Sequence, residues 1–348
     1  MKHLTVLTQS AVRAFRSCPR KYENTYVKLY RARAVSDPIY YGNLWHGIRE
    51  NIWKREAIFW PLDIDPYLLA RLEVMAQGYL AAFGHWLEGV EIVSVEEPFE
   101  IALVNPRTDK ASRTFTLQGK LDGIVRENGQ LWNCEEKTRG GDVDDDDPYW
   151  RRLEIDPQVS LYHVATTEKY GETPRGTIYF VCVKPGIKPY KATPKEKWKY
   201  TAEKSRVCPG CKKEPGQHEF SGDKCNGEGR IITEPSRLHA SVRVADETPE
   251  EFKARLIEVV SKDPDRYFKM VRVPRLEKDI EESRLDVWDT AQAILAAKNS
   301  GTYLRNPDSC IHAFGMTCDF FPVCTNRATL DDPLLYRKAD AAHEELAV

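Results

Sequence analysis

Apolar residues recur at helical spacing through the first ninety residues and at alternate positions through the next fifty, so the chain changes period near residue 90. Thr8 stands as an N-cap before a stretch carrying Val12, Phe15, Tyr22 and Tyr26. Pro19 interrupts that stretch, and residues 8–30 are therefore predicted as two short helices meeting at Cys18-Pro19. Residues 40–60, containing GNLWHGIRENIW, read as a second helical region. Pro66–Gly89 reads as a third, with Leu68, Leu69, Leu72, Met75, Tyr79 and Phe83 on its apolar face. From 90 to 138 alternation and β-branched residues predict strands, and Asn128-Gly129 between TFTLQGKLDGIVRE and QLWNCEEKT marks a two-residue hairpin turn. The aspartate run at 142–147 reads as a solvated loop, 156–170 as a helix, and Gly176–Val183 as a strand buried on both faces. This order of elements belongs to the α/β class.

Five prolines and a cysteine group break the pattern between 184 and 230, and helical periodicity returns at 248–262 and 284–299. The expected organisation is a core with N-terminal helices at 1–183, a basic insertion at 184–235, C-terminal helices with a cysteine cluster at 236–327, and a polar tail at 328–348. The 348 residues are 41% hydrophobic and 30% charged, which excludes a disordered or fibrous chain. No run approaches the ~18 apolar residues of a membrane span, and the first residues lack a signal-peptide pattern, so no membrane partner and a cytoplasmic location are expected. Lys and Arg number 51 against 53 Asp and Glu, so only local charge can argue for a polyanionic partner.

The hairpin carries the first chemical signal. A two-residue turn at Asn128-Gly129 sets Asp122 opposite Glu135, with Cβ atoms roughly 4.5–5.5 Å apart. Two carboxylates so placed need a cation or a proton between them. Strand alternation puts Lys137 on the same face and Cys134 and Glu136 on the other. A solvated sheet face decorated with charges would show the same residues. Gln158 and Tyr162 fall four residues apart on one predicted helix face, and His46 lies in Gly42-x-x-x-His46.

Taken in order, these blocks resemble the PD-(D/E)XK nuclease superfamily, in particular its RecB-like exonuclease branch. Gly-x-x-x-His precedes Gly119-Lys-Leu-Asp122, then Glu135-Glu136-Lys137, then Gln158-Val-Ser-Leu-Tyr162, and the opening Ser10 to Tyr22 also looks like the start of these proteins. The resemblance implies a restriction-endonuclease-like core, a mixed central sheet flanked by helices. It further implies a DNA exonuclease in which His46, Asp122 and Glu135 bind Mg²⁺ or Mn²⁺. Lys137 would orient the attacking water or stabilise the transition state, and Gln158 and Tyr162 would hold the strand or support the metal helix. DNA with a free end or single-stranded character would be the substrate, in recombination, repair or end processing, with recombination, helicase or CRISPR-adaptation proteins as partners. A non-catalytic DNA-binding scaffold and a site-specific endonuclease are the rival readings.

The cysteines form two groups. Cys208-x2-Cys211-x6-His218-x6-Cys225 has the donor set of a structural zinc site, the alternative being a loop with free thiols. Cys310-x7-Cys318-x5-Cys324 lacks a fourth ligand of its own. The resemblance supplies Cys18, because RecB-like nucleases with a 4Fe-4S cluster pair one N-terminal cysteine with three near the C-terminus. The first gap here is longer than the commoner Cys-x2-Cys, which leaves zinc or buried thiols open. Cys134 and Cys182 read as small core residues. Residues 11–36 and 184–206 each carry a net charge of +6 with interleaved aromatics, as a nucleic-acid surface would, the alternative for 184–206 being a solvated basic loop.

Overall fold

The computed structural model describes residues 4–33, 37–141, 147–210, 219–220, 223–225, 229–311 and 317–346, excepting the side chains of 37–39, 220, 223–224 and 345. The chain forms two compact units, one of residues 1–63, 72–186 and 259–348 and a smaller one of 64–71 and 187–258.

The larger unit is built on a six-stranded mixed sheet: β1 (Thr5–Leu7), β2 (Glu91–Asn105), β3 (Lys110–Glu127), β4 (Gln130–Arg139), β5 (Gly176–Val183) and β6 (Phe268–Pro274). The long strand β3 organises it. β2 lies antiparallel along one edge of β3. The other edge is shared: β1 runs parallel to Phe115–Leu117, and β4 runs antiparallel beyond Gly123. Residues 118–122 face the gap where β1 and β4 part. The turn between β3 and β4 has φ of 52° at Asn128 and 77° at Gly129, as a type I′ turn demands. Its register pairs Gly123 with Cys134 and Glu127 with Gln130, as the turn predicts, and the ladder ends there, one pair short of Asp122 and Glu135. β4 continues beside β5 in parallel, and β6 closes that edge antiparallel.

Helices cover both faces. On one, α1 (Gln9–Ser17), α4 (Pro157–Tyr170) and α6 (Glu277–Ser300) place Val12, Phe15, Leu161, Ala165, Val287, Ala291 and Ile294 in a single core with Leu7, Phe99, Phe115, Leu117 and Leu131 of the sheet. On the other, α2 (Asp37–Lys54) and α3 (Pro66–Gly89) bring Trp53, Tyr79, Phe83 and Trp86 edge-on or tilted against Phe180 of β5. Gly123 is needed beneath this layer, since a Cβ there would sit 2.7 Å from the Trp53 ring. The second helical region ends at Lys54 rather than at 60, because Arg55 takes φ of 59° and the helical path stops.

Two strands of the central sheet had no sequence signal, three-residue β1 and seven-residue β6. The predicted helix at 284–299 begins at Glu277, two turns earlier. The segment read as a polar tail is also tied down. Tyr336–Lys338 pairs with Tyr30–Ala32, and Tyr336 is buried against Phe320 with its rings stacked at 5.6 Å. Asp147, read as loop, caps the helix Pro148–Glu154 through its carboxylate, which accepts from Tyr149 N–H; the rest of the aspartate run lies outside the described residues. In the smaller unit α5 (Pro249–Lys262, its last turn counted with the larger unit) is preceded by Glu247, which accepts from Arg255 and from Tyr190 N–H. No helix among the described residues is long and apolar enough to cross a membrane.

Candidate active site

Asp122 reaches the site from the gap in the sheet. Having no strand partner on that edge, it turns its carboxylate across to β4, where Oδ2 accepts from Glu136 N–H at 2.9 Å. His46 of α2 sets Nδ1 3.9 Å from the same oxygen. Burial lowers the His46 pKa despite Asp122, so the ring is a neutral nitrogen donor at pH 7. Burial alone would raise Asp122, but His46, Arg49 and Lys137 outweigh it and keep this carboxyl below its ordinary value.

Glu135 is 2% exposed. One carboxylate oxygen receives the Lys137 ammonium and the Gln158 side-chain amide at 2.7 Å; the other, Oε2, is buried with no hydrogen-bond partner. Burial first, then the Asp122 charge, pushes Glu135 up to about 8. A buried carboxylate with an orphaned oxygen beside a second carboxylate is the donor set that a hard divalent cation satisfies. Lys137 is held cationic: burial opposes its charge, and Glu135 with Asp122 overcomes that and raises its pKa.

Gln158 and Tyr162 share a face of α4, and Gln158 donates to Tyr162 Oη at 3.0 Å. The geometry explains the glycine of the Gly-x-x-Asp block. Phe99 lies over Gly119, where a Cβ would come within 2.5 Å of the ring, and Phe99 in turn meets Tyr162 edge-on at 5.8 Å. Gly119 thus admits the ring that backs Tyr162, which backs Gln158 against Glu135. Glu136 points the other way, as alternation requires. It accepts from Trp45 Nε1 at 3.0 Å and Cys182 Sγ at 3.1 Å, and burial pushes it up to about 7.

Sequence reasoning missed Glu96. Its carboxylate, with His46 and Asp122, forms a group whose ligand atoms lie within 4.8 Å of one another. Continuing the pairing from Asn105–Lys110 without irregularity would set Val93 opposite Asp122. Ser112 Oγ, accepting from Thr114 and Phe115 N–H, stabilises a bulge, and the register beyond it brings Glu96 opposite Asp122 instead. Glu96 has φ of 53°, a costly backbone for a side chain with a Cβ. Its carboxylate is gripped by the Arg49 guanidinium and by Lys120 Nζ at 2.8 Å, and Arg49 also donates to Asp122 C=O at 2.8 Å. The adjacent acids in SVEEPFE were the one available signal. A 780 Å³ cavity opens onto His46, Glu96, Asp122, Gln158 and Tyr162, and its wall includes Glu344 and Leu346 of the C-terminal segment.

The terminal cysteines also come together. Cys18 sits between α1 and Pro19, and its sulfur accepts from Asn306 N–H at 3.4 Å, while Cys310 Sγ donates to Asn306 C=O at 3.6 Å. Cys318 N–H donates to Cys310 C=O at 2.9 Å. Burial raises the Cys324 thiol, and the neighbouring Cys18, Cys310 and Cys318 raise it further. In the smaller unit Cys208 and Cys225 are buried together against Ile231. Cys211 and His218 lie outside the described residues. Three of the four aromatics of 11–36 are not free to stack bases: Phe15 and Tyr22 are buried and meet edge-on at 5.4 Å, and Tyr26 packs on Tyr22 and His343.

Comparison with curated protein sequences gave no match. Among solved structures, a "putative exonuclease" from Eubacterium rectale is similar at TM-score 0.39 and 9% identity, over 94% of this chain and 90% of that one. The structure of SSO0001 is similar at TM-score 0.25 and 15% identity, over 53% of this chain and 65% of that one, short of two thirds of its length. The model of the PD-(D/E)XK nuclease superfamily matches residues 6–325, a span that takes in the carboxylate hairpin, α4 and the terminal cysteines, and the chain belongs to that superfamily.

Proposed function

We propose that this nuclease is a divalent-metal-dependent DNA exonuclease of the RecB-like branch. The observation that carries the reading is that His46, Asp122 and Gln158 line one open cavity while Gln158 and Lys137 both bind the Glu135 carboxylate behind it. His46, Asp122 and Glu135 would hold Mg²⁺ or Mn²⁺, with Glu96 as a further ligand; His46, Asp122 and Glu96 already stand within 4.8 Å of one another, and Glu135, outside that group, is brought in by its orphaned oxygen. The ion when bound supplies Lewis acidity and a water of lowered pKa. Lys137 keeps a positive charge beside the scissile phosphate, where it orients the water and offsets charge gained in the transition state. Gln158, braced by Tyr162, fixes the Glu135 carboxylate so that this charge is presented in one geometry. A cavity walled on one side by the 344–346 segment suits a strand end better than continuous duplex.

Cys18, Cys310, Cys318 and Cys324 fit a 4Fe-4S cluster by donor set and by their mutual proximity, and such a cluster would join 17–20 to 303–324. The Cys208–Cys225 segment fits structural zinc, with Cys211 and His218 completing the set. Partners in recombination, helicase action or CRISPR adaptation, and a cytoplasmic setting, follow from the same branch. End-labelled linear and closed circular DNA incubated with Mg²⁺ or Mn²⁺ tests the reading. Loss of label from the linear substrate alone is expected; cutting of the circle would make it an endonuclease, and no cleavage under either metal would leave a scaffold.

A further inference from the structure

The open cavity does not end at the carboxylates. Gln9, Ser10 and Gln158 also line a second groove of 410 Å³, which runs on between α1 and the Pro148–Glu154 helix. This groove is lined by Arg13, Arg16 and Arg152 and by Ile155. We infer that this groove is the track along which a single DNA strand leads into the active site, its phosphates held by Arg13 and Arg152 and an unpaired base resting on Ile155. The inference rests on the nuclease reading above and adds to it the route and the form of the substrate.

Three observations carry it. The first is the availability of charge. Of the basic residues in 11–36, Arg16 pairs with Asp286, Arg20 and Lys28 with Glu23, and Arg31 with Glu344. Arg13 and Arg152 are exposed and make no ion pair among the described residues. The one acid lining the groove, Asp156, is occupied as the N-cap of α4, accepting from Gln158 N–H at 2.8 Å. Two guanidiniums without carboxylate partners at the rim of a cleft attract phosphates.

The second is Ile155, which is 78% exposed although the backbone on either side of it is held by Arg275, donating to Leu153 C=O at 2.9 Å and Asp156 C=O at 2.6 Å. An exposed aliphatic side chain lining the same groove as the arginines offers apolar contact to a base face, which a duplex keeps within its own stack. The third is the state of the cations elsewhere on the cavity wall. There Arg31 is paired with Glu344, which also holds Arg337 at 2.7 Å, and Lys120 is paired with Glu96 at 2.8 Å, so the basic side chains of that wall are already taken by carboxylates. The groove on the α1 side is the favourable one.

The test uses the full chain with Asp122→Ala to prevent cleavage, and a fluorescein-labelled single strand followed by anisotropy over a salt series. Arg13→Gln with Arg152→Gln should weaken binding about tenfold and flatten the log K against log salt slope by about 1.4, the value for two phosphate contacts on a single strand. Arg107→Gln with Lys278→Gln, the same charge change on another surface, should leave both unaltered. Ile155→Ser should weaken the single strand more than a duplex of the same sequence. In the cleaving protein the double arginine variant should raise KM and leave kcat within twofold. Unchanged affinity and slope in Arg13→Gln/Arg152→Gln, while the unsubstituted chain still cleaves DNA, overturns the groove and leaves the nuclease reading standing. Absence of cleavage by the unsubstituted chain under both metals overturns the reading itself.

Discussion

Glu135→Gln gives the sharpest check on the buried carboxylate, because its effect is fixed in sign before any substrate is added. The Glu135 carboxyl is displaced from 4.5 to about 8, by burial first and by the Asp122 charge second, with Lys137 pulling the other way and Asp156 adding to the rise. Between these two pH values the folded protein holds a proton that the unfolded chain has released. The contribution of this group to stability is therefore fully present below pH 4.5, falls as pH climbs, and levels off above about 8. The displacement corresponds to about 5 kcal/mol at full ionisation, or about 7 °C in the melting temperature of a chain this size. Glu136, pushed up to about 7, adds a smaller fall of the same sign, so the variant is compared with its parent pH by pH. Thermal unfolding by circular dichroism in chelator, from about pH 5 to 8.5, reads the difference. The parent should lose several degrees more than Glu135→Gln across this range. Mn²⁺ should restore the parent most at the alkaline end, where no proton must be displaced, and should do little for the variant. Equal slopes in the two proteins, with equal stabilisation by Mn²⁺, would falsify the assignment of Glu135 as the perturbed ligand.

Three further outcomes are expected. Lys137→Met should abolish cleavage, a loss of at least about 10³-fold in kcat, yet keep the Mn²⁺-induced rise in melting temperature; a variant retaining a tenth of parental kcat would remove Lys137 from the chemistry. Glu96→Gln should weaken Mn²⁺ binding about tenfold in calorimetry, worth about 1.4 kcal/mol, while cleavage at saturating metal persists; an unchanged affinity would make Glu96 only a counter-ion for Arg49. Cys324→Ser in anaerobically purified protein should lose a broad visible absorbance and the iron content together, and a parent that is colourless and iron-free refutes the cluster.

The hairpin was legible because its information is local. Asn128-Gly129 dictates a two-residue turn, the turn dictates register, and register with alternation dictates that Asp122, Glu135 and Lys137 meet while Glu136 faces away. The helices α3 and α4 and the buried strand β5 were legible for the same reason, since their periods are written over eight or more residues. The match of four such blocks in order added the family resemblance before any coordinates, while the terminal cysteines matched it in number and placement but not in their first gap.

What sequence could not supply depends on residues far apart in the chain. Three-residue β1 and seven-residue β6 owe their pairing to strands more than eighty residues away, and too few positions alternate to announce them. Glu96 reaches Asp122 only because a bulge shifts the β2–β3 register, and neither hydrophobic pattern nor composition encodes a shift of that kind. The opening residues read as a basic, aromatic surface; packing turned the rings inward and gave most of the cations to acids, among them Glu344, some three hundred residues on. Periodicity determined which faces would be buried, but which charges remain open to a phosphate was decided by tertiary contacts, because an ion pair depends on how close the fold brings two charges and how far it shields them from water.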